Sequence, residues 1–267
     1  MYVKRLKGFS GCDVTLHIDP SSNKKFVRKI SSGVPYNSRL ISQMKKQAQF
    51  ENDFLKTPKI YDAGMIGDKF YFDMEFISGV TFHNFISTHS PNSVEHIFSH
   101  LRIYLGSCDQ KDSDLTEPIQ EKINSLRPVI DEKFHFVLDY CQQHDWKHMK
   151  SGSCHGDLTF ENIIIYKSDV YLIDFLDSFV DTKYVDYAKV LQDLIFMWSW
   201  RNSSSSPIIK CMSLYNSLAK DMSEEEFSYT KRLLMLNVLR IVPYADPKTL
   251  RYLSAIMSYA ENKFDIR

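Results

Sequence analysis

One stretch limits what this chain can fold into more than any other. Residues 155–162 read His155-Gly156-Asp157-Leu158-Thr159-Phe160-Glu161-Asn162, and the run Ile163-Ile164-Ile165-Tyr166 follows. A polar Lys167-Ser168-Asp169 turn then leads into Val170-Tyr171-Leu172-Ile173 and Asp174-Phe175. Two short runs of β-branched and aromatic residues around a polar turn predict a β-hairpin. Helical signals lie on both sides of it, so the hairpin interrupts an otherwise helical region. Its return strand delivers Asp174 back toward Asn162, and Asp157 sits on the tight loop just before. Asp and Asn are common in capped turns, so the loop alone would be a weak signal. The hairpin and the second Asp give it weight.

His-x-Asp-x-x-x-x-Asn, with a strand-end Asp 17 residues after the first Asp, resembles the catalytic centre of kinase-fold phosphotransferases. The form His-Gly-Asp-Leu with Ile-Asp-Phe resembles the aminoglycoside phosphotransferase and choline kinase branch. Protein kinases usually carry Arg where Gly156 stands and Gly where Leu176 stands. The resemblance implies an α+β, bilobal protein-kinase-like fold with a small β-rich N-lobe and a larger, mainly α-helical C-lobe. It implies ATP and Mg²⁺ as cofactors, Asp157 as the catalytic base, and Asn162 and Asp174 as metal ligands. Hard oxygen ligands completed by bound phosphates suit Mg²⁺. His155 is expected to brace the loop.

The N-terminal segment fits such a scheme. Val14–Ile18 alternates, a polar turn covers Asp19–Lys25, and Phe26–Ile30 follows, which predicts a hairpin. A Lys/Gln-rich helix is expected over Asn37–Leu55, with strands around Lys59–Tyr61 and Lys69–Phe76. Gly8-Phe9-Ser10-Gly11 lies where the family has its phosphate-covering loop, which makes Ser10 and Gly11 candidate nucleotide contacts, although a plain hairpin turn reads equally well. Lys29 matches the strand lysine of the family and shares a face with Val27, while Arg28 faces the other way. The family's lysine pairs with a Glu on the next helix, but Gln43 and Gln47 stand here at that distance. Tyr71–Gly79 resembles the hinge between lobes, where backbone near Glu75 and Ile77 would meet adenine. The lobes are expected at residues 1–77 for ATP and 78–267 for catalysis and substrate.

Val94, Ile97, Phe98, Leu101 and Leu105 mark a helix, as do Ile130, Phe134, Val137, Leu138 and Cys141. Ser223 and Glu226 form a capping box ahead of a helix reaching about Ile241. Asp186-Tyr187-Ala188 resembles the helix start that follows the metal Asp in small-molecule kinases, its Asp capping and tying down the catalytic loop. It comes twelve positions after Asp174, too soon for a protein kinase's activation segment and Ala-Pro-Glu motif. A small-molecule hydroxyl acceptor is favoured for that reason: a sugar, amino alcohol or related metabolite first, an aminoglycoside second. A nucleotide-binding pseudokinase scaffold is the alternative of a different class. Asp177 and Asp181 are expected to face the substrate. Cys141, His144 and His148 are read as structural rather than metal-binding.

Composition narrows the partners. The 33 basic and 33 acidic residues leave no net charge, which argues against nucleic acid. Residues 1–77 carry 13 Lys/Arg and 8 Asp/Glu, whereas the remainder carries 20 and 25, so the two parts differ in sign. No apolar run approaches the ~18 residues of a membrane span, and no signal peptide is evident at the start. Five scattered cysteines without a Cys-x-x-Cys suit reduced thiols in a cytoplasmic protein with no membrane association.

Overall fold

Alternation decides the first sheet. In Lys25–Ile30, Val27 and Lys29 point inward and Arg28 outward; in Lys69–Glu75, Phe70, Phe72 and Met74 share the buried face. The computed structural model describes residues 2–6, 12–108 and 111–264. Ser10 and Gly11, proposed for the phosphate-covering loop, lie outside these residues.

Strands β1 (Tyr2–Arg5), β2 (Asp13–Ile18), β3 (Lys25–Ile30), β5 (Ile60–Ile66) and β6 (Lys69–Glu75) form an antiparallel sheet in the order β1-β2-β3-β6-β5. Helix α1 spans Val34–Ala48. It begins three residues earlier than the apolar pattern predicts because Pro35 can occupy the first turn without costing a hydrogen bond. It also ends earlier, at Ala48, because the chain turns at Gln49 and Asn52 receives the backbone N–H groups of Phe54 and Leu55. Leu40 of α1 packs with Val27, Phe70, Phe72 and Met74. Burying each such side chain contributes roughly 1.5–3 kcal/mol. The strand expected around Lys59–Tyr61 runs further, through Ile66.

Strands β4 (Leu55–Lys56), β7 (Val80–Thr81), β8 (Ile163–Tyr166) and β9 (Asp169–Leu172) form a second sheet, ordered β4-β9-β8-β7. The predicted embedded hairpin is β8–β9, and Lys167 takes the left-handed conformation its tight turn needs. Just before β7, a Cβ on Gly79 would lie 2.3 Å from the Ile165 carbonyl, so only glycine lets the chain pass this close to the hairpin. By contacts the chain divides into two compact units. One comprises Met1–Phe82 and Asn162–Asp177, the other His83–Glu161 and Ser178–Arg267. The hairpin with Asn162 and Asp174 therefore groups with the N-terminal strands, whereas Asp157 belongs to the second unit.

The second unit is helical: α2 (Phe82–Thr88), α3 (Pro91–Ser107), α4 (Thr116–Leu126), α5 (His135–Gln142), α6 (Lys183–Phe196), α7 (Ile208–Ala219), α8 (Glu224–Leu239) and α9 (Pro247–Lys263). The apolar positions read for α3 are all buried, and the Ser223–Glu226 capping box forms at the start of α8. Of the second apolar series, Phe134 lies in a short tighter turn, and the α-helix proper begins at His135. At the centre lies α6, packed against α3, α7 and α8 and buried at every residue except Ile195. Among the described residues no helix is long and apolar enough to cross a membrane.

Candidate active site

In the first unit, the alternation of β3 sends Lys29 into the interior, its side chain only 4% exposed. There the ammonium pairs with the carboxylate of Asp174, 145 residues further along the chain. Arg28, on the opposite face, makes a two-pronged pair with Asp73, both N–O distances 2.7 Å. The two neighbouring cations therefore differ in what is left to them. Arg28 is matched by a carboxylate of its own sheet, whereas Lys29 meets the aspartate at the end of the hairpin. On α1, Gln43 and Gln47 are buried, and Gln47 donates to the Pro58 carbonyl, so it braces the sheet.

Asp174 follows β9 with φ of +66°, a left-handed conformation that Asp tolerates better than most residues. The Ile173 N–H donates to the Asn162 carbonyl at 3.0 Å, closing the base of the hairpin and bringing Asn162 alongside the residue before Asp174. The unit thus sets the Asp174 carboxylate beside Lys29, with Asn162, which carries a side-chain amide, at the base of the same hairpin. Among the described residues there is no cluster of three or more His, Cys, Asp or Glu able to cage a metal. Two hard oxygens fit a cation that takes its other ligands from phosphate and water, as Mg²⁺ does. At the end of β6, the Glu75 N–H donates to Lys59, leaving the adenine role proposed for this backbone to its carbonyl and to the buried Ile77.

In the second unit the loop around Asp157 is gripped by one face of α6. Asp186, fully buried, accepts the N–H groups of His155 at 2.7 Å and Gly156 at 2.8 Å, and the Tyr104 hydroxyl at 3.0 Å. Gly156 has φ of +87°, which explains the glycine: the turn that aims both N–H groups at Asp186 lies where a side chain would be strained. His155 is buried, and its Nδ1 accepts the Asp157 N–H at 3.2 Å, a bracing arrangement. Farther along α6, Asp193 accepts the N–H groups of Phe160 at 2.6 Å and Ser199 at 2.7 Å. Between them Lys189 places Nζ 3.0 Å from Asp157 Oδ1. Glu161, next to Asn162 in the chain, pairs with Arg201 at 2.9 Å.

Sequence reasoning found Asp186 but missed Lys189 and Asp193. The signal was present. Asp186, Lys189 and Asp193 stand at i, i+3 and i+7 of a helix whose other residues are largely apolar, and this spacing puts them on one face. Asp177 and Asp181, proposed to face substrate, are both exposed; Asp181 also accepts from the Cys154 thiol at 3.3 Å. His144 packs edge-on against Trp146 and Tyr229, and burial pushes it down to about 4.

Complete burial pushes Asp193 up to about 7, outweighing the two N–H donors that favour its anion. A folded pKa above the unfolded ~4 means stability is full below pH ~4 and is lost as pH rises toward 7. Between pH 5 and 8, wild-type unfolding free energy should therefore fall on the order of 2–3 kcal/mol more than that of Asp193→Asn. Denaturant melts at several pH values measure this, and parallel slopes for the two proteins would refute it.

No protein-family model matches the chain, and no curated protein is detectably similar to it in sequence. Solved structures are similar in fold. A protein from Haemophilus somnus 129PT assigned as a fructosamine-3-kinase superposes with TM-score 0.59 at 12% identity, covering 96% of this chain and 91% of its own. An aminoglycoside-3'-phosphotransferase of type VIII gives 0.60 at 15% identity over 88% and 93% of the two chains. This is the protein-kinase-like fold. The ethanolamine kinase of Plasmodium vivax shares it, with TM-score 0.56 and 14% identity over 97% of this chain and 81% of that one. The α+β class and the kinase-like fold expected from the motifs are thus borne out.

Proposed function

We propose that this kinase-like protein is an ATP-dependent phosphotransferase that moves the γ-phosphate to a hydroxyl of a small molecule. The observation that carries the reading is the pairing of the buried Lys29 with Asp174. It joins a cation suited to phosphate oxygens to an anion suited to a metal, two groups that phosphoryl transfer requires together. Nothing in a purely structural role calls for a solvent-accessible aspartate in a left-handed conformation at that point. The named activities of the fold relatives, on fructosamine, aminoglycosides and ethanolamine, point the same way.

In this reading Asp157 orients the acceptor hydroxyl and takes its proton while the oxygen bonds to the γ-phosphorus and the bond to the ADP oxygen breaks. Asn162 and Asp174 would hold Mg²⁺, which when bound neutralises charge on the phosphate oxygens. Lys29 would bind phosphate. Ser10 and Gly11 would lie over the phosphates, and the backbone at Glu75 and Ile77 would bind adenine. Small-molecule acceptors, those of the sugar and amino-alcohol kind first, are favoured over a protein, because Asp186 follows Asp174 by only twelve positions and leaves no room for a protein-kinase activation segment. Cytoplasmic ATP would be the phosphate source.

The test is ADP release from Mg-ATP across a panel of sugars, amino alcohols and aminoglycosides. Acceptor-dependent turnover with at least one metabolite is the expected result. Turnover confined to aminoglycosides would instead favour the resistance reading. Mg-ATP binding without turnover on the whole panel would favour a scaffold, and failure to bind Mg-ATP would sink the kinase reading altogether.

A further inference from the structure

We infer that Lys189 is a positioning residue for the reaction, holding the carboxylate of Asp157 in one orientation through an ion pair; the inference rests on Asp157 being the base. Three residues of α6 at i, i+3 and i+7 reach the same loop, and they divide the work. Asp186 takes the backbone N–H groups of His155 and Gly156, and Asp193 takes that of Phe160. The loop is thereby fixed by its main chain on both sides of Asp157. Lys189 alone reaches a side chain, Asp157 Oδ1 at 3.0 Å.

The cost of this arrangement argues that the ammonium does more than fill space. Lys189 is buried, its side chain 10% exposed, on a helix that is otherwise packed on nearly every side. Withdrawing an ammonium from water is unfavourable, and an apolar residue of similar volume would fit with less penalty. What an apolar residue cannot supply is a fixed direction for the carboxylate. Asp157 is 32% exposed at its side chain, and the ion pair with Lys189 favours one of its rotamers over the others. A base must lie within hydrogen-bond reach of the proton it takes, and misplacement by about 1 Å can cost on the order of a hundredfold in rate.

The experiment compares kcat and KM for wild type, Lys189→Met, Lys189→Arg, Asp157→Asn and the Lys189→Met/Asp157→Asn double variant, with a thermal melt of each. Lys189→Met should lower kcat about 10- to 100-fold while KM for ATP stays within about twofold. Lys189→Arg, which keeps the charge, should recover most of that loss, and in the Asp157→Asn background Lys189→Met should cost less than about twofold more. A structural role alone would not give rescue by charge or this non-additivity. Wild-type kcat in folded Lys189→Met, or losses that simply add in the double variant, would overturn the inference. If Lys189→Met does not melt cooperatively, Lys189→Gln takes its place with the same two criteria. A wild type that turns over no acceptor would instead overturn the functional reading itself, and this inference with it.

Discussion

Replacing Asp157 by Asn is expected to lower kcat about a thousandfold, the middle of the range that a positioned acid or base contributes. The change is nearly isosteric, so the loop should keep its shape, although Lys189 loses the carboxylate it faces and the melting temperature should fall. Its grip comes from Asp186, Asp193 and the His155 ring, all on backbone N–H groups that the substitution leaves alone. Asp157 is not among the groups proposed to hold Mg-ATP, and affinity for Mg-ATP should therefore change little. Steady-state ADP release and calorimetric ATP binding on the same preparation separate the two quantities. A variant with near wild-type kcat would remove Asp157 from the chemistry, and one that lost ATP binding as well would mean that the loop had collapsed.

The separation of motif from scaffold also explains what the sequence disclosed. The hairpin at 163–172 was legible because strand residues, a tight polar turn and the return to Asp174 are all local. Asp157, Asn162 and Asp174 could be named because their spacing resembles the kinase-fold signature, and that spacing is carried by the same local geometry. Lys29 was singled out by its resemblance to the family's strand lysine; strand alternation separates it from Arg28, and the structure gives each cation a different carboxylate. The partner of Lys29 was not legible. Asp174 lies 145 residues away, and nothing short-range links them. Lys189 and Asp193 were hidden for the converse reason. Their spacing was visible, but charges at i, i+3 and i+7 ordinarily mean a solvated helix face. Only the burial of α6 turns that face into a grip on the loop. The early end of α1 was missed because its termination depends on turn chemistry at Gln49–Asn52 rather than on the apolar pattern.

Asp174→Asn should produce the other large effect, and it should appear before any acceptor is added. Asn is the informative substitution because it accepts the left-handed conformation at φ +66°, so the backbone is not asked to move. Two things change. Lys29, 4% exposed at its side chain, loses its carboxylate partner, and leaving a buried ammonium without a counter-charge costs about 3 kcal/mol. The proposed metal site also loses its only anionic ligand. These consequences separate experimentally. Without nucleotide, Asp174→Asn should melt below the wild type, whereas Lys29→Met/Asp174→Asn, which removes both halves of the pair, should regain most of the difference. With Mg-ATP at about 100 times its dissociation constant, the wild type should gain about 2.7 kcal/mol of stability. Asp174→Asn should gain almost none, and the double variant should not regain that gain, because relieving Lys29 restores no metal ligand. If Asp174→Asn kept the full Mg-ATP shift, Asp174 would be a partner for Lys29 and nothing more. If the double variant melted as low as the single, the pairing would carry no stability and the buried lysine would need another explanation.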